Sequence, residues 1–226
     1  MTPMVRHSPN ADDRPDDAAI DMLVIHYTGM TTAAAAIERL CDPAAKVSAH
    51  YLIDEDGSVI ELVAEHRRAW HAGVASWRGC TNINDRSIGI ELVNPGHEFG
   101  YRPFTGAQMQ ALEDLAGDII RRHPIPARNV VGHSDVAPTR KSDPGELFDW
   151  ARLAASGIGL WPDDGSICMM DWDEVIRGLG NYGYDTCDRV QALKAFQRHF
   201  RPSRVTGRID FGTARRLSGL SNMVGD

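Results

Sequence analysis

The chain has 226 residues, 42% hydrophobic and 24% charged, a composition typical of a folded globular protein with one full core and a small second domain. The formal net charge of −7 argues against a nucleic-acid-binding protein that relies on neutralising phosphates, although a local basic cluster is compatible with it. No apolar stretch approaches the roughly 18 residues that a transmembrane helix needs, so we expect no membrane span.

The N-terminal segment is polar and contains no apolar run suited to a signal-peptide core. We therefore expect a cytoplasmic protein, with the periplasm or cell envelope as the alternative. Residues 1–18 are interrupted by proline and are predicted to form a flexible arm before a strand at residues 21–27. The cysteines lack C-x-x-C spacing and are predicted to be free thiols in a reducing compartment: Cys41, Cys80, Cys168 and Cys187.

The pattern that follows alternates between strands and helices. A short Ala-rich helix capped by Thr31 or Thr32 must end before Pro43. Residues 48–53 and 58–63 are strand-like runs around a turn rich in Asp and Gly, which predicts a β-hairpin. His50 lies within the first of these runs, and we interpret it as structural.

Four further elements complete this region. Residues 87–94 alternate as a strand, and residues 105–123 carry an apolar stripe with capping-box spacing at the start, which predicts a helix. Residues 129–132 are predicted to be a strand, and residues 146–155 a second helix that directs Leu147, Trp150, Leu153 and Ala154 inward. The order predicts an α/β domain at residues 19–155, with a mixed β-sheet flanked by helices.

A loop after the predicted strand at 129–132 concentrates chemically active side chains. His133, Lys141 and Asp143 fall within eleven positions on a segment too rich in Pro and Gly to be one helix. A catalytic zinc needs three N or O ligands, and His133 and Asp143 could be two of them. His26, which ends an apolar strand before a Gly turn, could be the third. Each residue alone is more often structural, but the set favours a metal site.

Glu91 is the strongest single catalytic candidate. It lies on the face of the 87–94 strand opposite to Ile88, Ile90 and Leu92. A carboxylate on a buried strand is costly to ionise unless it is paired or hydrogen-bonded, so a functional role is favoured over a structural pairing with an Arg.

Five segments in order, VIHYTG, SAHYLID, AWHAG, SIGIELVN and GHSDVAPTRKSDPG, resemble the type 2 zinc-dependent N-acetylmuramoyl-L-alanine amidases, including the anhydro-muropeptide amidases of cell-wall recycling. The resemblance implies one zinc per chain bound by His26, His133 and Asp143, with Glu91 and Lys141 as catalytic partners. The implied reaction hydrolyses the amide between N-acetylmuramic or 1,6-anhydro-N-acetylmuramic acid and L-alanine, so muropeptides or peptidoglycan are the expected partners. A non-catalytic recognition protein is the alternative, but family members of that kind typically lose a metal ligand, and this chain keeps all three.

Four residues are candidates for contacting substrate. His71, in the AWHAG motif, is interpreted as a pocket residue and not as a ligand. Trp77 lies in a segment suited to line a groove, or it packs that segment onto the core. Lys46 and Arg78 could hold a peptide carboxylate, by charge and position, or could be solvated surface charges.

The remainder of the chain is predicted to be helical. Residues 156–170, with glycines, Pro162 and two aspartates, are predicted to be a linker. Residues 171–226 contain three short helical patterns, and the stretch VQALKAFQRHFRP followed by VTGRIDFGTARRLSGL resembles the three-helix peptidoglycan-binding domain of wall hydrolases. The alternative is a helical cap packed on the amidase domain, since a unit this small is marginally stable alone.

Overall fold

The computed structural model describes residues 3–16, 18–165 and 170–225. Its strands are β1 (Met4–Val5), β2 (Ala11–Asp13), β3 (Met22–Tyr27), β4 (Tyr51–Ile53), β5 (Val59–Glu61), β6 (Arg67–Ala69), β7 (Ser76–Trp77), β8 (Cys80–Thr81), β9 (Ser87–Leu92) and β10 (Val130–Gly132). Its α-helices are α1 (Ala33–Cys41), α2 (Gly96–Phe99), α3 (Gly106–Arg122), α4 (His133–Val136), α5 (Trp150–Ala155), α6 (Trp172–Tyr182), α7 (Arg189–Phe200) and α8 (Phe211–Val224).

A six-stranded mixed sheet in the order β1-β5-β4-β9-β3-β10 forms the centre of the fold, which confirms the predicted class. Strands β4, β9, β3 and β10 run parallel, whereas β4 and β5 form the predicted antiparallel hairpin. Ligand sites in such sheets form at the carboxyl ends of parallel strands. Here β9, β3 and β10 end side by side.

The two faces of the sheet bury different partners. Leu23 and Ile25 of β3 pack with Ile88 and Ile90 of β9 on one side, where α3 and α5 cover them. Met22 and Val24 point to the other side, because side chains alternate along a strand. His26 therefore falls on the second face, at the end of a strand whose preceding residues are fully buried.

The helix ends are set by the capping residues that the sequence predicted. Thr32 caps α1 by accepting from Ala35 N–H, and Thr105 and Gln108 form a reciprocal capping box at the start of α3. The helix predicted at 146–155 is shorter than expected, because Asp149 caps it and it begins at Trp150. Leu147 lies before that cap and is 42% exposed, so the prediction that it points inward is wrong.

The prediction of a flexible N-terminal arm is also wrong. Strand β1 pairs with β5 at the edge of the main sheet, and β2 pairs with β6. The guanidinium of Arg14 donates to the carbonyl oxygens of Glu65, Asn84, Asp85 and Ser87. Strand pairing and the hydrogen bonds of the Arg14 guanidinium therefore fix a segment whose composition alone indicated disorder.

The C-terminal helices share a core with the first domain. Val24 and Trp77 belong to the same buried cluster as Leu179, Phe196 and Phe200 of α6 and α7. The segment predicted as a linker is packed as well: Ile158 is buried in the core beneath α3 and α5, and the ring of Trp161 lies 6.4 Å from that of Phe200. Residues 166–169 of that segment lie outside the described residues. We call α6, α7 and α8 the helical unit.

No helix in the described part of the chain is long and apolar enough to cross a membrane. Cys41, Cys80 and Cys187 are free, as predicted, whereas Cys168 lies outside the described residues.

Candidate active site

An open cleft of about 370 Å³ lies at the carboxyl ends of β9, β3 and β10. The pairing register explains its composition. His26 of β3 is paired with Glu91 of β9, and Gly132, which precedes His133, is paired with Ile25. Three neighbouring strands thus bring three of the predicted site residues to one edge. Residues that line the cleft include Tyr27, Met30, Trp70, His71, Glu91, His133, Lys141 and Asp143.

His26, His133 and Asp143 form a buried cluster that could hold a metal ion. The Nδ1 atoms of the two histidines lie 2.9 Å apart, and Asp143 Oδ2 lies 3.1 Å from the first and 3.0 Å from the second. Asp143 is placed by its loop, which folds back so that Ser134 N–H donates to the Asp143 carbonyl oxygen at 2.8 Å.

The donor set fits zinc. Tetrahedral bonds of roughly 2.0–2.1 Å separate ligand atoms by about 3.3 Å, close to the spacing seen here. His133 Nε2 lies 3.1 Å from the carbonyl oxygen of Ala72, which can only accept. The proton of neutral His133 is therefore on Nε2, and Nδ1 offers a lone pair to the cluster.

The electrostatics of the cluster favour the metal-binding forms of His26 and Asp143. Burial, reinforced by His133, lowers the pKa of His26 to about 4 and so favours the neutral ring. Burial alone would raise the pKa of Asp143, but the neighbouring His133 and His26 outweigh it and lower that pKa. A neutral imidazole and an ionised carboxylate are the forms that coordinate a metal.

Glu91 faces the same cleft and is partly exposed to it. Its Oε2 atom is buried without a hydrogen-bond partner among the described residues. Burial raises the pKa of Glu91 well above its usual value, Asp143 adds to the rise, and Lys141 opposes it. A carboxyl group with a raised pKa and an oxygen without a hydrogen-bond partner, on a residue that lines a cleft, is suited to accept and release protons.

Lys141 is exposed at the cleft, on the loop between the cluster residues His133 and Asp143. Its backbone N–H donates to the Ala137 carbonyl oxygen at 3.0 Å, which fixes the start of the side chain. Because the side chain is exposed and lines the cleft, its ammonium group is accessible to a substrate bound there.

The residues predicted to contact substrate are placed differently. His71 lines the cleft beside His26, and both of its ring nitrogens lie 3.0 Å from polar atoms of buried neighbours. His71 therefore lines the cleft, as predicted, but both of its ring nitrogens are engaged by neighbouring side chains. Lys46 is exposed beside the cleft and does not line it.

Trp77 and Arg78 contact the helical unit. Trp77 is 1% exposed, and its ring lies 5.5 Å from that of Tyr182 and 5.2 Å from that of Tyr184. Arg78 N–H donates to the Gly183 carbonyl oxygen at 2.9 Å. Neither residue lines the cleft, so the alternatives given for them hold: the Trp77 indole packs into the core against the helical unit, and the Arg78 side chain is exposed.

Two cleft residues were missed by the sequence analysis. Arg140 donates through Nη2 to the Ala72 carbonyl oxygen at 3.0 Å and so joins the two loops that flank the cluster. The hydroxyl of Tyr27 lies 3.2 Å from Ser142 Oγ and 2.9 Å from His97 Nδ1. The sequence could have indicated both residues by their position, since Tyr27 directly follows His26 and Arg140 directly precedes Lys141.

Comparisons with known proteins match this geometry. The Amidase_2 family model, described as N-acetylmuramoyl-L-alanine amidase, matches residues 16–146. The N-acetylmuramoyl-L-alanine amidase AmiD of Escherichia coli is 40% identical, over 91% of this chain and 84% of its own length. The 1,6-anhydro-N-acetylmuramyl-L-alanine amidase AmpD of Citrobacter freundii is 39% identical, over 66% of this chain and 86% of its own.

A solved structure extends the likeness to the helical unit. The complex of E. coli AmiD with anhydro-N-acetylmuramic acid-L-Ala-D-gamma-Glu-L-Lys superposes with a TM-score of 0.83 at 38% identity. The match covers 94% of this chain and 93% of that one. It therefore includes the C-terminal helices, which lie beyond the residues matched by the family model.

Proposed function

Because the chain belongs to the Amidase_2 family of N-acetylmuramoyl-L-alanine amidases, we propose that it cleaves its substrate with one zinc ion held by His26, His133 and Asp143. The reaction of this amidase is hydrolysis of the amide between the lactyl group of N-acetylmuramic acid and the L-alanine of a stem peptide. The convergence of the three ligand atoms to within 3.1 Å of one another, beside Glu91, carries the proposal.

When bound, zinc supplies Lewis-acid polarisation of the scissile carbonyl and activation of a water molecule. Glu91 accepts a proton from that water as its oxygen adds to the carbonyl carbon. The same carboxyl group then gives the proton to the alanine nitrogen as the C–N bond breaks, which yields a lactyl carboxylic acid and a peptide amine. The acid then loses its remaining proton to the amine or to solvent. The raised pKa of Glu91 serves both steps, because it strengthens the carboxylate as a base and keeps its acid form accessible.

We assign Lys141 the role of stabilising the negative charge that develops on the oxygen of the scissile carbonyl. Negative charge grows on that oxygen during addition of water, and a cation at the cleft stabilises it. The exposed ammonium of Lys141, on the loop fixed between two ligands, meets this requirement.

We propose muropeptides as the substrate class, including those with a 1,6-anhydro-muramic end, because both relatives compared above are amidases and AmiD was solved with such a compound. The test is to incubate the purified protein with a soluble anhydro-muropeptide and with intact sacculi, and to compare the rates at which peptides with a free L-alanine amine appear. Failure to release such peptides from both would contradict the proposal. The cellular location stays a prediction.

Wall binding by the helical unit is proposed on the resemblance of its sequence alone. The test uses the full chain carrying Glu91→Gln, which should leave the sacculus uncut, together with a saturating soluble muropeptide to block the cleft. Sacculus binding that survives this competition supports a second binding surface on the helical unit. Complete loss of binding assigns the unit to packing.

A further inference from the structure

His71 occupies an unusual position beside the proposed metal site. The Nε2 atom of His26, which faces away from the cluster, lies 3.0 Å from His71 Nδ1. A histidine that binds a metal commonly donates its second N–H to a carboxylate, a backbone carbonyl or water. Here the partner is a second imidazole, and the pair alone does not define a direction, since either ring could donate.

Ser87 and Ile83 define the direction. Ser87 Oγ lies 2.7 Å from the carbonyl oxygen of Ile83, which can only accept, so the single hydroxyl proton of Ser87 is used there. Ser87 Oγ also lies 3.0 Å from His71 Nε2 and must accept from it. His71 therefore carries its proton on Nε2, and its Nδ1 is an acceptor. His26 must then donate through Nε2–H, which leaves its own Nδ1 as a lone pair facing His133 and Asp143.

Packing holds the His71 ring in this orientation. The ring lies directly on Gly89, where an added Cβ would approach His71 Cγ to 2.5 Å. The side-chain oxygen of Asn84 accepts from the backbone N–H groups of His71 and Ala72, at 3.2 and 2.8 Å. Since the Ala72 carbonyl oxygen accepts from His133, two consecutive residues orient both histidines of the cluster.

We infer that His71, oriented by Ser87, is a positioning residue that fixes the tautomer of His26 and aims its Nδ1 lone pair at the metal. The inference rests on the proposed zinc site. The inference also says what the cluster can bind. With Nε2 protonated on both histidines, the two Nδ1 atoms and the Asp143 carboxylate present three electron-pair donors to one another and no proton between them. Such a set requires a cation at its centre.

The first test is a spectroscopic one that needs no zinc. Imidazole nitrogen-15 spectra of the zinc-free protein, assigned with His71→Asn, should show the proton of His71 on Nε2 and an unprotonated Nδ1. A His71 ring protonated on Nδ1 would overturn the inference. Because zinc is absent, this result is separate from the proposed function, which fails instead if the wild-type protein does not bind zinc.

The second test measures zinc affinity by competition with a chromophoric chelator. His71→Leu removes the acceptor and should raise the zinc dissociation constant about 10- to 100-fold, the usual effect of losing an outer partner of a ligand. His71→Asn places an oxygen acceptor near the position of Nδ1 and should recover most of the affinity. Equal losses in His71→Leu and His71→Asn, or wild-type affinity in His71→Leu, would overturn the inference.

Gly89→Ala offers an independent route, because the new methyl group must displace the His71 ring without changing any hydrogen-bonding side chain. It should weaken zinc binding as His71→Leu does. Gly106→Ala, at a surface position with no atom within 4 Å of the added Cβ, is the matched control and should leave the affinity unchanged. If His71→Leu does not fold, the spectra of the wild-type protein and the Gly89→Ala comparison still decide the matter.

Discussion

His26 and Glu91 are direct neighbours across the parallel strands β3 and β9. Both side chains leave the sheet on the same face, so that the proposed metal ligand and the proposed base are held by strands and not by loops. This relationship predicts that either residue can be replaced without disturbing the other's backbone, and so ligand loss and base loss should be separable.

Glu91→Gln should keep one zinc per chain and lower kcat by about 10²- to 10⁴-fold, because it removes a proton acceptor and no ligand. Zinc content and steady-state rates on one sample check this. The comparison variant His26→Ala should lose both zinc and activity, and should melt at a lower temperature than the zinc-loaded wild type, since a bound ion stabilises the native state by mass action. Wild-type turnover in Glu91→Gln would remove Glu91 from the mechanism.

Lys141→Ala should lower kcat by about 10²- to 10³-fold, with little change in KM or in zinc content, the expected effect of losing one oxyanion stabiliser. The alternative is that Lys141 binds a substrate carboxylate in the ground state. Kinetics on a soluble muropeptide separate the two, because a defect confined to KM would contradict the oxyanion role.

The stability of the protein should depend on pH through Glu65, which accepts from Arg122, His123 and Tyr51. Burial opposes ionisation, but these hydrogen bonds outweigh it and lower the pKa of Glu65 from 4.5 to about 2. A depressed folded-state pKa means that the stabilisation is complete above pH 4.5 and is lost as the pH falls toward 2.

Chemical denaturation of wild type and Glu65→Gln should therefore differ by about 1–3 kcal/mol near neutral pH, and the difference should shrink below pH 4.5. Glu98→Gln, at an exposed position, is the matched control for the substitution itself. A difference that stays constant down to the folded-state pKa would assign the effect to packing.

A buried polar contact joins the helical unit to the loop of the metal site. Asp135, two residues after His133, accepts from Tyr184 Oη at 2.8 Å, and its other oxygen lies 2.7 Å from His199 Nδ1. Tyr184→Phe leaves part of that carboxylate unsatisfied and should lower the free energy of unfolding by about 1–3 kcal/mol. Tyr182→Phe is the control, because the rings of Tyr182 and Tyr184 both pack against Trp77. Equal effects of the two variants would contradict a specific role for the Asp135 contact.

The sequence predicted the fold class and the cluster well, because both depend on local signals. Alternation placed Glu91 on the functional face of its strand, and the caps at Thr32 and Thr105 set helix starts. The choice between cleft and core for Trp77 could not be made from the sequence, because its environment comes from Tyr182 and Tyr184, more than a hundred residues away. The prediction of a flexible N-terminal arm failed for the same reason, since the side-chain and backbone partners of Arg14 lie at least 36 positions along the chain.

The measurement that bears most directly on the proposed zinc centre follows metal content and amide hydrolysis together during chelation and reconstitution. Wild-type protein should contain one zinc per chain, lose hydrolysis of a soluble anhydro-muropeptide as zinc is removed, and recover it in proportion to zinc restored. His133→Ala and Asp143→Ala should neither retain zinc nor recover. Full activity in protein shown to contain no zinc would contradict the assignment of His26, His133 and Asp143 as the catalytic metal site.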